Sequence, residues 1–251
     1  MIKVKSTAEL ARMRASCRMA AQVRDQVAAA IKPGVTTQEL DEYARDTIAA
    51  LGGKSAFWGY RGFPGHICVS VNDEVVHGIP GKRVVQLGDV LSVDFGVVYD
   101  GFVGDTATTV MVGVTDAEVI RLITVTEQAL QAAIEKAVVG NRLSDISHAV
   151  ERVAVRAGFG IVRDFVGHGI GRKMHEDPQI PNFGAPGRGP RLRAGMTFAL
   201  EPMLNMGGPE VEVMPDGWTV LTKDRKPSAH FEHTVAVAEG QAEVLTCAKN
   251  E

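Results

Sequence analysis

Only three cysteines occur in the 251 residues, Cys17, Cys68 and Cys247, an odd number with no paired spacing. That argues against a secreted disulfide framework and fits a reducing, cytoplasmic setting. No apolar run approaches the roughly 18 residues of a membrane span, and the N-terminus MIKVKSTAELARMRASCRMA has no signal-peptide core. A soluble, untargeted protein is expected. Charge of one sign is also missing: 27 basic residues face 30 acidic ones, a net charge of -3. Neither nucleic acid nor an anionic membrane is therefore expected as the main partner. The length suits one sizeable core, and a single domain over residues 1–251 is expected, with internal halves of about 1–114 and 115–251.

What is present is repeated grammar. Ser6-Thr7-Ala8-Glu9 is a capping box ahead of Leu10, Met13, Cys17, Ala20, Val23, Val27 and Ile31 at near-helical spacing, and the helix stops at Pro33-Gly34. Thr36-Thr37-Gln38-Glu39 opens a second helix, with Leu40, Tyr43, Ile48 and Leu51 on one side and Gly52-Gly53 closing it. Thr115-Asp116-Ala117-Glu118 then caps a third helix ending at Gly140, and a fourth runs from about Ser144 to Gly158. Gly34 and Gly140 stand at the same separation as Gly52 and Gly158. The echo continues in His77-Gly78-Ile79 and His168-Gly169-Ile170, and in LGDVLSVD and AGMTFALE, which end at Asp94 and Glu201. Asp105 and Glu232 each open a β-branched run. Unequal offsets place one insertion around Tyr60 to Asn72 and another around His175 to Arg193, both expected as loops. The fold class is α+β: two helix-helix-strand halves around a central antiparallel sheet, with helices on one face.

The stretch LSVDFGVVYDGFVGDTATTV, residues 91–110, reads as a hairpin. If Asp100-Gly101 is the turn, Asp94 faces Ala107; if the turn slips back by one residue, Asp94 faces Asp105. Either register puts both aspartates on one face. A duplicated fold brings Glu201 and Glu232 to the same axis, and four converging carboxylates need a counter-charge. A pair of divalent cations sharing bridging carboxylates answers that need, and His168 adds one imidazole. Oxygen-rich ligation with one nitrogen points to Mn, Fe, Co or Zn.

The runs VSVNDEVVHGIPG, VDFGVVYDGFVGDTATTV, FVGHGIGRKMHEDP, FALEPM and DGWTVLTKDRKPSAHFEHTVAV together resemble the methionine aminopeptidase family, in the pita-bread fold it shares with prolidases. The short run between His175 and Glu201 leaves no room for the type II insert, so the resemblance is to type I, without an N-terminal extension. It implies removal of the N-terminal methionine from peptides and nascent chains, preferentially before a small second residue. In that family Asp105 and Glu232 would bridge two metals, Asp94 would hold one, and His168 with Glu201 would complete the other. Glu201 would shuttle the proton, His175 would bond the carbonyl oxygen, and His77 would sit by the scissile nitrogen. The methionine pocket maps onto Tyr60, Phe63, Cys68 and Trp218. Two positions depart from the family: Met174, where an aromatic is common, and His230, usually Gln. At strand period His230 shares the face of Glu232 while His233 points away.

Two other readings compete. A proline-specific peptidase on the same fold would use the same metals, but HGIP and the pocket residues speak against it. A non-catalytic binding module would not need the intact acid set. Ribosome contact through Arg188, Arg191 and Arg193 fits work on nascent chains, although a short basic loop is more simply a solvated one. A monomer is expected.

Overall fold

The computed structural model describes residues 2–248. Its first helix, α1, spans Thr7–Ala30, and the second, α2, spans Thr37–Ala50. Both start at capping boxes. The Ser6 and Thr36 hydroxyls accept from the backbone three residues on, and Glu9 and Glu39 accept from the cap residues' own N–H groups. After the β region come α3 (Ala117–Lys136) and α4 (Leu143–Ala157), the latter closed by Gly158 at φ 76°.

Three details differ from the sequence pattern. The cap of α3 is Asp116, not Thr115, because the Asp116 carboxylate accepts from the N–H groups of Glu118 and Val119. That helix stops at Lys136 rather than reaching Gly140, since Val139 and Gly140 donate to the carbonyls of Ala238 and Leu192. Tyr43 does not join the buried side of α2 and is 43% exposed.

The hairpin of residues 91–110 is the longest pair of strands. We label the strands that build the site β1 (Cys68–Val71), β2 (Val90–Tyr99), β3 (Phe102–Met111), β4 (Gly167–Gly169), β5 (Glu176–Ile180), β6 (Thr197–Leu200) and β7 (Glu232–Ala236). Tyr99 pairs with Phe102, so Asp100-Gly101 is the turn, with both residues at positive φ (48° and 73°). Asp94 accordingly faces Ala107. The Arg12 guanidinium on α1 donates to the Asp100 carboxylate and ties the turn to that helix.

Among the described residues the neighbours in the main sheet are antiparallel, and its strand order runs β2-β3-β7-β6-β4-β5, with β1 also paired to β2. The hairpin of the first half thus meets the strands of the second half at β3 and β7. Each half supplies its own apolar layer. Val23, Val27, Leu40 and Ile48 pack with Leu91, Val93, Phe95 and Val97 in one. In the other, Leu122, Leu130, Ile146 and Val150 pack with Phe198, Leu200 and Val235. Each such side chain contributes about 1.5–3 kcal/mol on burial. Helix α1 lies close because Gly104 carries no side chain: a Cβ there would sit 2.6 Å from the Cys17 Cα.

Both insertions contain strands where loops were expected. Cys68–Val71 joins the sheet through β2, and Glu176–Ile180 through β4. The second is the last strand of the sheet, so the missing N–H of Pro178 breaks no ladder on its outer side.

Candidate metal centre

The sheet brings the acids together by alternating them with small residues. Asp94 and Glu232 lie on either side of Ala107, in register from β2 and β7. A methyl group between two carboxylates leaves the space above it open. Asp105 is two residues back along β3 and shares that face. The Thr234 hydroxyl joins β7 to Asp105 by accepting from its N–H (3.2 Å) and donating to its carbonyl (2.8 Å). His168 enters from β4 opposite Ala199, and Glu201 follows directly on the end of β6.

The acids lie close together around one imidazole. The His168 Nε2 lies 3.5 Å from Glu201 Oε1 and 3.8 Å from Asp105 Oδ2. One ligand atom each from Asp105, His168 and Glu232 falls within 4.8 Å of the others, and all three residues are buried. Asp94 Oδ1, Asp105 Oδ1 and Glu232 Oε1 are buried without a hydrogen-bond partner. Among the described residues no lysine or arginine is paired with any of the four acids. Burial pushes the Asp94 carboxyl up to about 7. Burial and mutual repulsion raise Asp105, Glu201 and Glu232 well above the carboxylate range. Burial lowers His168 to about 4, so its ring is neutral. The His168 Nδ1 sits 3.0 Å from the Gly169 carbonyl, which only accepts. The proton is therefore on Nδ1, and Nε2 presents a bare lone pair to the acids.

These groups floor a cavity of about 280 Å³. All the residues singled out from sequence as ligands, catalytic groups or pocket positions line it: Asp94, Asp105, His168, Glu201 and Glu232 with His77, His175, Tyr60, Phe63, Cys68 and Trp218. One wall is aromatic. Phe63 meets Trp218 edge-on at 5.1 Å and Phe57 at 6.5 Å. Cys68 stands opposite Asp94 on β1, and Met174 is buried beside it in the same apolar cluster. His77, at φ 59°, meets Trp218 and Phe165 edge-on, and burial lowers it to about 4. His175 is at the exposed rim, where its Nδ1 is 2.9 Å from the Tyr60 hydroxyl.

His230 does not line the cavity. It is buried with Nε2 unpartnered, while His233 turns to Thr246 on the other side of the strand. Phe57, Arg61, Asp164, Phe165 and Val166 line the cavity and were not marked by sequence. For Phe57 the signal was Gly96: a Cβ there would lie 2.5 Å from the Phe57 ring. The loop that carries this wall is tied at its base. Ser55 Oγ accepts from the N–H groups of Phe57 and Trp58 and donates to the His66 carbonyl. One oxygen of Asp41, Oδ1, accepts from the N–H groups of both His66 and Ile67.

Residues 11–239 match the model of metallopeptidase family M24. The chain is 47% identical to a methionine aminopeptidase of Clostridium perfringens, over 99% of this chain and all of that one. The chain belongs to metallopeptidase family M24. It is also 46% identical to methionine aminopeptidase 1 of Bacillus subtilis, over 98% of this chain and 99% of the relative. The crystal structure of methionine aminopeptidase from Thermotoga maritima superposes with a TM-score of 0.96 at 45% identity, covering 98% and 99% of the two chains. A prolidase from Pyrococcus furiosus shares the fold at a TM-score of 0.78 and 19% identity, with 98% of this chain matched to 66% of that one. The fold is thus the α+β pita-bread fold of M24 enzymes. Membership implies divalent metal binding, and the residues fit it: buried carboxylate oxygens lack any other partner, and one imidazole offers a lone pair.

Proposed function

We infer that this chain is a metal-dependent hydrolase that removes the N-terminal methionine from peptides and nascent polypeptides, preferentially before a small second residue. The observation that carries the reading is the placement of an acid cluster under an apolar, partly aromatic pocket of side-chain size. A thioether is at home among the faces of Phe63, Trp218 and Tyr60 and the sulfurs of Cys68 and Met174. The relatives named above carry that activity in their names.

Asp94, Asp105, His168, Glu201 and Glu232 are proposed to be the residues that would hold two divalent cations of the Mn, Fe, Co or Zn class. When bound, the cations would supply positive charge that acidifies a water and polarises the carbonyl of the first peptide bond. Glu201 is proposed to take the proton from the attacking water and deliver it to the amine nitrogen as the C–N bond breaks. His175 would donate to the carbonyl oxygen as negative charge builds there. His77, kept neutral by burial, would sit by the scissile nitrogen.

Among the described residues no helix is long and apolar enough to cross a membrane. We propose a cytoplasmic location, where nascent chains first expose their N-termini.

The test is mass spectrometry of a Met-Ala-Ser peptide beside an Xaa-Pro peptide, with chelated protein and with protein reloaded with Mn or Co. Loss of methionine from the first peptide alone, and only with metal, is the expected result. Cleavage confined to the Xaa-Pro bond would move the assignment to the proline-specific relatives.

The tie made by Asp41 gives a second expectation. Asp41→Ala removes two hydrogen bonds to a carboxylate, on the order of 3 kcal/mol of stability. It should also raise KM for Met-Ala-Ser more than it lowers kcat, because the pocket wall loosens. Asp41→Asn should restore both, since a single oxygen accepts both bonds. Urea denaturation and steady-state kinetics of the two variants decide it, and equal KM values in Asp41→Ala and the parent would refute the link.

A further inference from the structure

We propose that Tyr60 is a positioning residue that fixes the tautomer of His175, holding the imidazole proton on Nε2, from which it is donated to the carbonyl oxygen of the cleaved bond. The inference rests on the role given to His175 above and adds to Tyr60 a duty beyond lining the pocket.

The contact is specific. The Tyr60 hydroxyl and His175 Nδ1 are 2.9 Å apart, and the two rings stack at 5.6 Å with an angle of 21° between them. Among the described residues His175 Nε2 has no partner. A neutral imidazole has one donor and one acceptor nitrogen, and a hydroxyl can complement either. What decides is the other nitrogen. The cavity that His175 lines holds the carboxylates of Asp105, Glu201 and Glu232. With the proton on Nδ1, Nε2 would turn a lone pair toward that oxygen-rich space and toward any substrate carbonyl. With the proton on Nε2, it presents a donor there, while the Tyr60 O–H satisfies Nδ1.

The neighbouring imidazole shows the opposite arrangement. His168 lies 4.2 Å away, centroid to centroid, and its Nδ1 faces a backbone carbonyl. An acceptor-only partner forces the His168 proton onto Nδ1 and bares its Nε2; a hydroxyl partner allows the reverse on His175. One imidazole thus offers a lone pair and its neighbour a proton.

Arg61 sits over the Tyr60 ring, 5.4 Å from its centroid, and its own backbone is at φ 51°. A non-glycine residue held in the left-handed region is a constrained one. The hydroxyl is therefore presented by a loop fixed at its base by Asp41 and Ser55 and at its tip by this turn.

The experiment is long-range proton–nitrogen correlation NMR of histidine-labelled protein and its Tyr60→Phe variant near neutral pH, with His175→Gln to assign the signal. Steady-state kinetics on Met-Ala-Ser accompany it. In the parent protein His175 should carry its proton on Nε2. Tyr60→Phe keeps the ring and its stacking, so KM should stay within about twofold while kcat falls roughly three- to tenfold, the effect of one neutral hydrogen bond. The variant's His175 should shift toward a mixture of tautomers. A parent His175 protonated on Nδ1 overturns the proposal, as does a Tyr60→Phe variant with parental tautomer and kcat. If the parent releases no methionine, the functional reading fails, and the spectrum still decides the tautomer.

Discussion

Glu201→Gln is expected to lower kcat for Met-Ala-Ser by roughly 10²–10⁴-fold, the usual contribution of a positioned general base, with little change in KM. The amide matches the carboxylate in size and keeps an oxygen toward the site, but it cannot take a proton from water and hand it to the leaving amine. The same substitution should stabilise the metal-free protein. Glu201 is one of four acids whose burial and mutual repulsion push their pKa values up, so a neutral amide removes one source of that strain. Opposite changes in activity and apo stability distinguish a strained functional group from a structural one. Metal content must be measured beside the kinetics. A variant that binds parental amounts of metal and keeps kcat within about threefold would remove Glu201 from the proton-transfer role. Glu232→Ala is a harsher change, because it takes away a carboxylate that shares Ala107 with Asp94. It should lose both metal and activity.

The legible parts of this fold are those written in local chemistry. Capping boxes at Ser6 and Thr36 mark two helix starts to the residue, and Asp100-Gly101 marks the hairpin. Duplication did more, because it tied Glu201 and Glu232 to Asp94 and Asp105 before any strand order was known. What local pattern could not supply is the competition between near-equal caps and the pull of distant backbone. Thr115 and Asp116 are both good caps, and Asp116 takes the position because its carboxylate accepts from two N–H groups, those of Glu118 and Val119. The end of α3 is set by Ala238 and Leu192, which are far away in sequence. Pro178 hides a strand because it lies at a sheet edge. The convergence of the four acids was foreseeable from the duplication. The Asp41 tie and the Tyr60–His175 contact were not, since each joins segments with no shared motif. The Gly96 gap that admits Phe57 carries a weak signal, a glycine inside a β-branched strand.

Metal-free protein should lose stability as pH rises above about 6.5, and metal should abolish that loss. Two sets of groups act in opposite directions. Asp94, at about 7, and Asp105, Glu201 and Glu232, raised well above the carboxylate range, hold protons in the folded state that the unfolded chain has already released. Where the native state binds more protons, stability falls with rising pH. His77, His168 and His233, lowered to about 4, and His230, lowered to about 3, do the reverse. They stay neutral when folded and take up protons on unfolding below the ordinary imidazole value of 6.5, so their contribution grows as pH rises from about 4 to 6.5. Below 6.5 the two sets oppose each other. Above it the histidines are neutral in both states and only the acids remain, so the net slope is negative until they ionise. Cations replace those protons, which makes metal affinity increase with pH over the same window. At 100 times the dissociation constant a bound ion adds about 2.7 kcal/mol. Thermal melts of chelated and Mn-loaded protein at half-unit steps of pH should therefore show two curves that diverge as pH rises through the range in which the acids ionise, about 7 for Asp94, and the histidines that lie off the metal cancel in their difference. Parallel curves would mean that the acids are already ionised without metal, and the account of the site as a cluster held together by shared protons or cations would fail.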